Sequence, residues 1–97
     1  MSVQVTEAPA MDARRLRAAM AYRRLRQVQL AQAADISTIT LRKIWSGQRQ
    51  PSRLVALAIV RGLAVLGVPL REVVVRGADD ARTAYASRAA PAAGVAD

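Results

Sequence analysis

Four side chains in the stretch 38–45 could take part in recognition chemistry: Thr38, Ile39, Arg42 and Lys43. Leu41 and Ile44 recur at helical spacing, so these four side chains should lie on the outward face of one helix. Threonine and lysine can hydrogen bond to base edges, and isoleucine can lie against thymine methyl groups. Arg42 suits a flanking phosphate or a base edge. The alternative for Ile39 is that it packs on Val28 or another neighbour. The pattern favours a helix that enters the major groove of DNA.

A second short helix must hold this face outward. In the segment before residue 35, Leu30, Ala31 and Ala34 fall on one helical face, so each helix offers an apolar stripe to the other. Between the helices, Asp35 tolerates the left-handed conformation, and Ser37 is placed to cap the helix that follows. The sequence therefore predicts a helix-turn-helix over 27–45.

The stretch 25–52, LRQVQLAQAADISTITLRKIWSGQRQPS, resembles the phage repressor and Cro family, the Xre-type helix-turn-helix. The small residues, the apolar residues and the helix-ending residues agree with the family in register. They include Gly47 and Pro51, in the loop after the helix over 38–45, which is the reading helix of the family. The resemblance covers roughly 14–75. It implies an all-α, compact four- to five-helix bundle, and it puts Thr38, Ile39 and Lys43 at the family's main base-contact positions. The alternative is an ordinary helical hairpin in a small bundle.

The chain departs from that family where the family pairs an arginine in the first helix with a glutamate that ends the reading helix. Met20 and Trp45 stand at these positions. Packed apolar groups can replace a buried ion pair without loss of stability, and methionine packs favourably on an indole. We therefore expect Met20 and Trp45 to touch. Asp35 and Arg26 also replace the family's usual turn glycine and Ser or Thr cap.

Candidate phosphate contacts flank the reading helix. In this fold, the helix before the turn should begin near residue 27 and point its free N–H groups at the duplex backbone. Arg26 and Gln27 are therefore the best-placed phosphate contacts there. In the loop after the reading helix, Gly47 fits a helix stop and Pro51 the first turn of the next helix. The residues of this loop region that could bind phosphate are Ser46, Arg49 and Arg53.

The charge of the chain lies mostly in the predicted domain. The net charge is +8, and residues 13–71 hold twelve basic residues against the single acid Asp35. A polyanion is the natural partner of such a segment, although a solvated basic face kept for solubility is the alternative. The abundance of arginine, alanine and valine suggests a GC-rich bacterial source.

The composition also narrows the classes of function. The chain has no cysteine and no histidine, which excludes thiol catalysis, disulfides and zinc fingers, and we expect no metal, no cofactor and no enzyme activity. Neither a signal peptide nor a membrane span is visible, so we expect a cytoplasmic protein that is nucleoid-associated when bound. We expect a flexible arm over 1–11, the helix-turn-helix domain over 12–76 and an Ala-rich, partly disordered tail over 77–97, with Asp12 capping the first helix.

The fourth helix, about 52–66, is apolar around most of its circumference and needs a second cover. A homodimer is one possibility, with an interface formed by Val60, Leu63, Leu66 and Val73. The other is that the C-terminal segment folds back over the helix. We expect 70–75 to be a short helix, although the run of three valines favours β-structure and could pair across a dimer as a strand.

Two hypotheses about function follow. The first is a sequence-specific transcriptional regulator, a repressor or an activator, that binds double-stranded DNA as a homodimer. The second is an antitoxin-like protein whose tail or fourth helix binds a partner protein.

Overall fold

The computed structural model describes residues 10–76 and 81–86 of the 97-residue chain. This part has the predicted all-α architecture with one short ribbon. Its helices are α1 (Ala13–Tyr22), α2 (Gln27–Ala34), α3 (Thr38–Trp45), α4 (Arg53–Leu66) and α5 (81–86). A 3-10 turn covers Leu70–Glu72, and strands β1 and β2 cover Ala10–Met11 and Val74–Arg76. None of the described helices has the length and apolarity that crossing a membrane requires.

Side-chain caps define where three of the helices begin. The Asp12 carboxylate accepts a hydrogen bond from the Arg14 N–H at 2.9 Å, and Ser37 Oγ accepts one from the Thr40 N–H at 3.0 Å. Both caps were predicted. Ser52 Oγ accepts a hydrogen bond from the Val55 N–H at 3.3 Å and starts α4. Each cap satisfies one of the N–H groups that a helix leaves unpaired at its start.

The corners between helices use left-handed residues. Asp35 ends α2 with φ 59° and ψ 47°, as predicted, and the Ile36 N–H then donates to the Ala31 carbonyl at 3.0 Å. Gly47 follows α3 with φ 81°, which confirms the predicted helix stop. Pro51 lies two residues before α4 rather than in its first turn, because Ser52 takes the cap position.

The core is formed mainly where α4 crosses α2. The largest fully buried side chains include Leu16, Met20, Leu30, Leu41, Ile59 and Leu63. Gly62 lets the two helices approach closely, since a Cβ added there would stand 2.9 Å from the Ala34 backbone nitrogen. The amphipathic stripes predicted for α2 and α3 are therefore buried against the rest of the bundle.

The segment 70–75 differs from the predicted helix. Only Leu70–Glu72 forms a 3-10 turn, and Val74–Arg76 then pairs antiparallel with Ala10–Met11 of the same chain. The three valines favour an extended backbone, and β1 offers an edge within the chain, so no second copy is needed for the pairing. The predicted boundary of the arm at residue 11 was also wrong, because Met11 is 3% exposed and belongs to the core.

The predicted dimer interface is also wrong for three of its four residues. Val60, Leu63 and Val73 are fully buried inside one chain, and Leu66 is half-buried. The C-terminal segment supplies part of the missing cover, because Ala81 of α5 joins the same hydrophobic core. The 3-10 turn of the same segment contacts α4, so one chain contains part of the cover that the fold-back alternative requires. The proposed arm over 1–9 and the tail over 77–80 and 87–97 lie outside the described residues.

Candidate nucleic-acid interface

The outward face of α3 carries the four predicted recognition side chains. Thr38, Ile39, Arg42 and Lys43 are exposed, whereas Leu41 and Ile44 are buried. Ile39 is 63% exposed and Val28 is 45% exposed, so Ile39 is not covered by the bundle. Helix α3 thus presents a methyl-bearing side chain, a hydroxyl and two cations together, which are the groups that base edges and phosphates can bind. Which bases they contact stays a prediction.

The N-terminal turn of α3 is fixed by hydrogen bonds at its cap. Ser37 Oγ donates to Thr40 Oγ1 at 2.9 Å while it accepts from the Thr40 N–H. These contacts define the direction of the first turn, which carries Thr38 and Ile39. Thr40 was not predicted as a site residue, yet it supports the first turn of α3 through its contacts with Ser37.

The start of α2, the helix that precedes α3, carries two predicted phosphate contacts. Arg26 is exposed and Gln27 is half-buried. The side-chain oxygen of Gln29 accepts a hydrogen bond from the Arg26 N–H at 2.8 Å, so Gln29 supports the start of the helix although the usual Ser or Thr cap is missing. The guanidinium of Arg26 therefore projects from a defined helix terminus.

The loop after α3 carries the remaining phosphate candidates. Ser46, Arg49 and Arg53 are all exposed. Ser46 Oγ donates to the Lys43 carbonyl at 3.1 Å, which ties the hydroxyl to the end of α3. The loop is anchored by Gln50, whose amide donates to the Met11 carbonyl at 3.1 Å and accepts from the Met11 N–H at 3.4 Å. Gln50 was not predicted, because no local pattern links residues 39 positions apart.

Two arginines of α1 and its corner have partners within the protein. Arg23 makes a bidentate ion pair with Glu72, with both N···O distances 3.0 Å, and it also donates to the Ala19 carbonyl at 2.9 Å. The hydrogen bonds from Arg23 lower the pKa of Glu72, and the same contact raises the pKa of Arg23. Arg17 donates from Nη1 to the Trp45 carbonyl at the end of α3. Sequence spacing could not separate these two arginines from the exposed Arg14 and Arg15.

Met20 and Trp45, which were predicted to take the place of an ion pair, differ in burial. Met20 is fully buried, and Trp45 is half-buried and packs on the core cluster. Both side chains therefore lie against apolar neighbours. A direct contact between Met20 and Trp45 stays a prediction.

The described part of the chain has no group of three or more Asp, Glu, His or Cys side chains that could hold a metal ion. Its exposed recognition face is basic, and Asp35 is the only acid from residue 13 to residue 71. Such a face attracts the phosphates of a nucleic acid and offers no cluster of ligands for a cation.

A small α-helical domain in which a serine-capped helix follows another short helix through a left-handed corner is a helix-turn-helix domain, the architecture of many DNA-binding proteins. Over residues 13–73 the chain matches the family described as "Helix-turn-helix domain". The protein belongs to this family. Comparisons with curated proteins and with solved structures gave no match.

Proposed function

We propose that this protein is a sequence-specific regulator of transcription, of the phage-repressor and Cro (Xre) type, which binds double-stranded DNA through α3. The observation that carries the proposal is the exposed Ile39, at 63%, on a helix whose other face is anchored by Leu41 and Ile44. An apolar side chain exposed beside Thr38 and Lys43 is costly in water and useful in a major groove, where thymine methyl groups can cover it.

Phosphate contacts would set the position of α3 on the duplex. We assign them to residues on both sides of the helix: Arg26, Gln27, Ser46, Arg49 and Arg53. Contacts with phosphates fix register and supply affinity, while the side chains of α3 supply preference among sequences. Arg42 could serve either purpose, since it is exposed in the last turn of α3.

We also propose that the protein acts as a homodimer, with two copies of α3 about one DNA turn apart. The buried valines cannot form its interface, so the contact must use another surface. Leu54 and Val65 of α4, at 78% and 53% exposure, are the apolar side chains that support this proposal. Such a protein would work in the cytoplasm, on the nucleoid when bound.

Selection of bound sequences from a pool of random duplexes tests the proposal. We expect an enriched motif, and a homodimer should give two inverted half-sites about 10 base pairs apart, centre to centre. Binding of all duplexes with equal affinity would contradict sequence specificity. A single half-site, bound by a protein that sediments as a monomer, would contradict the homodimer.

The antitoxin-like function remains the second candidate. One observation favours a protein partner: a cleft of about 550 Å³ lies between the 3-10 turn and α5, with Leu70, Val74 and Tyr85 in its lining. Arg71 and Arg82 also line this cleft. Co-expression with the neighbouring gene, followed by purification of this chain, tests the idea. A stoichiometric second protein that is lost on Tyr85→Glu substitution would support it, and recovery of this chain alone would count against it.

A further inference from the structure

The carbonyl groups of the last turn of α3 all have partners, and one of these partners belongs to another helix. The Arg42 carbonyl accepts from the Ser46 N–H at 3.0 Å, the Lys43 carbonyl from the Gln48 N–H at 3.0 Å and the Ile44 carbonyl from the Gly47 N–H at 3.0 Å. The fourth carbonyl, that of Trp45, accepts a hydrogen bond from Arg17 Nη1 of α1. Arg17 therefore completes the C-terminal end of the helix.

This contact joins a cation to the negative end of a helix dipole. Hydrogen bonds from a charged donor are stronger than neutral ones, and a cation is stabilised near the final carbonyls of a helix. Arg17 is half-buried, whereas Arg14 and Arg15 on the same helix are exposed. Its donor is therefore directed into the bundle and is less available to an external phosphate.

The position of the contact matters because Arg42 and Lys43 lie in the turn that it holds. Recognition of base edges requires that the supporting backbone be fixed to within about 0.5 Å. The N-terminal turn of α3 is fixed by Ser37, and the C-terminal turn is joined to α1 across 28 residues of sequence. The reading helix is thus held at both ends.

We propose that Arg17 is a positioning residue for DNA recognition: it fixes the last turn of α3 through the Trp45 carbonyl and does not bind phosphate. The inference rests on the proposed function, because it assigns α3 as the reading helix. It divides the α1 arginines into one that orients the recognition helix and others that remain on the surface.

Hydrogen exchange in the free protein tests the contact without DNA. In Arg17→Ala, the amides of Ser46, Gly47 and Gln48 should exchange about 5- to 10-fold faster, because the last turn opens more easily when the Trp45 carbonyl loses its partner. Arg14→Ala is the matched control and should leave these rates unchanged. Equal rates in Arg17→Ala and the unsubstituted protein would overturn the proposal, whatever the protein binds.

DNA binding separates positioning from phosphate contact. Against the selected duplex, Arg17→Ala should lose about 10-fold in affinity with little change in the dependence on salt, whereas loss of one phosphate contact lowers the log–log salt slope by about 0.9. Arg17→Gln keeps an N–H donor without the charge and should recover most of the affinity. A flattened salt slope in both variants, with equal losses on selected and random duplexes, would make Arg17 a phosphate contact.

The proposed function and the role of Arg17 can be tested separately. If the unsubstituted protein did not bind duplex DNA, the proposed function would be wrong, yet the exchange experiment would still decide whether Arg17 holds the end of α3. Circular dichroism of Arg17→Gln checks that the helical content is retained. If Arg17→Ala did not fold, Arg17→Gln would decide between the two roles: an unchanged salt slope with most of the affinity retained would support the proposal, and a flattened slope with equal losses on selected and random duplexes would overturn it.

Discussion

At the scale of single residues, exposure separates the side chains that could read DNA from those that build the bundle. Ile39 and Leu41 are two positions apart and chemically similar, yet Ile39 is 63% exposed and Leu41 is fully buried. Hydrophobicity alone would place both in the core. Helical periodicity separates them, because residues two apart point to different sides of a helix.

The residues of α3 should control preference among sequences. Ile39→Ala or Lys43→Ala should weaken binding to the selected duplex by ~1–3 kcal/mol and relax preference at particular base pairs. Arg49→Ala is the matched control, since a lost phosphate contact should weaken all duplexes alike and lower the salt slope by about one. Competition binding at several salt concentrations measures both effects. Identical behaviour of the three variants on selected and random DNA would show that α3 is not the reading helix.

At the scale of elements, the packing of α4 on α2 depends on a residue with no side chain. Replacing glycine with alanine inside an exposed helix normally stabilises it by about 0.8–1 kcal/mol. At Gly62 the added Cβ would meet the Ala34 backbone at 2.9 Å, and the backbone of a packed helix cannot easily move aside. Because the helices approach so closely here, the substitution should lower the stability of the fold instead of raising it.

We expect Gly62→Ala to destabilise the fold by about 1–3 kcal/mol, the usual cost of overpacking a core. Urea unfolding followed by circular dichroism measures the change. Ala64→Gly in the same helix is the control, because its half-exposed position should show the ordinary helix propensity and lose about 1 kcal/mol. A more stable Gly62→Ala variant would mean that α2 and α4 are not packed as closely as described.

The ion pair between Arg23 and Glu72 links the corner after α1 to the 3-10 turn, and it should make stability depend on pH. Because Arg23 lowers the folded-state pKa of Glu72, the stabilisation is present above the carboxyl's ordinary pKa and is lost as pH falls through the lowered value. The unfolded state then binds more protons than the folded state. Stability should therefore decline on the acid side.

Glu72→Gln should reduce this acid-side decline and lower stability at neutral pH, since Arg23 would lose its charged partner. Thermal unfolding between about pH 2 and pH 7 measures the dependence, a range that spans the ordinary carboxyl pKa. Asp35→Asn, at an exposed corner, is a control for general effects of removing one carboxylate. An unchanged acid-side slope in Glu72→Gln would show that the pair does not form in solution.

At the scale of the whole molecule, one chain already buries most of the surface that appeared to need a partner. The apolar circumference of α4 is covered on one side by α2 and on another by the segment that follows it. What remains exposed on α4 is smaller than the sequence implied and includes Leu54 and Val65. A homodimer would have to form through such residues and not through the buried valines.

A charge introduced on α4 should therefore act differently at buried and exposed positions. Val60→Glu should destabilise the chain by several kcal/mol, because it buries an unpaired carboxylate. Leu54→Glu should keep the fold and dissociate a dimer that uses this surface. Sedimentation at micromolar concentration, with circular dichroism of each variant, distinguishes these outcomes. A folded Val60→Glu protein of native stability would contradict the burial of this side chain.

Features that depend on near neighbours in the chain could be predicted from the amino-acid sequence. Helical spacing, the Asp12 and Ser37 caps, the left-handed Asp35 and the outward face of α3 are local, and each was predicted correctly. These predictions agree with the structure because capping, turn conformation and amphipathicity depend on only a few neighbouring residues. The same locality explains why the helix-turn-helix was identifiable without the structure.

Features that join distant residues could not be predicted in this way, because they depend on how the chain folds. Only the folded chain pairs Ala10–Met11 with Val74–Arg76, joins Arg17 to Trp45 and Arg23 to Glu72, and buries Val60 and Val73. The sequence shows that a residue is apolar but not which surface will cover it. The spacing of an arginine in the sequence is also the same whether its side chain is exposed or caps another helix. Long-range packing therefore determines how α4 is buried and which arginines have partners inside the protein. Local sequence patterns do not encode this packing.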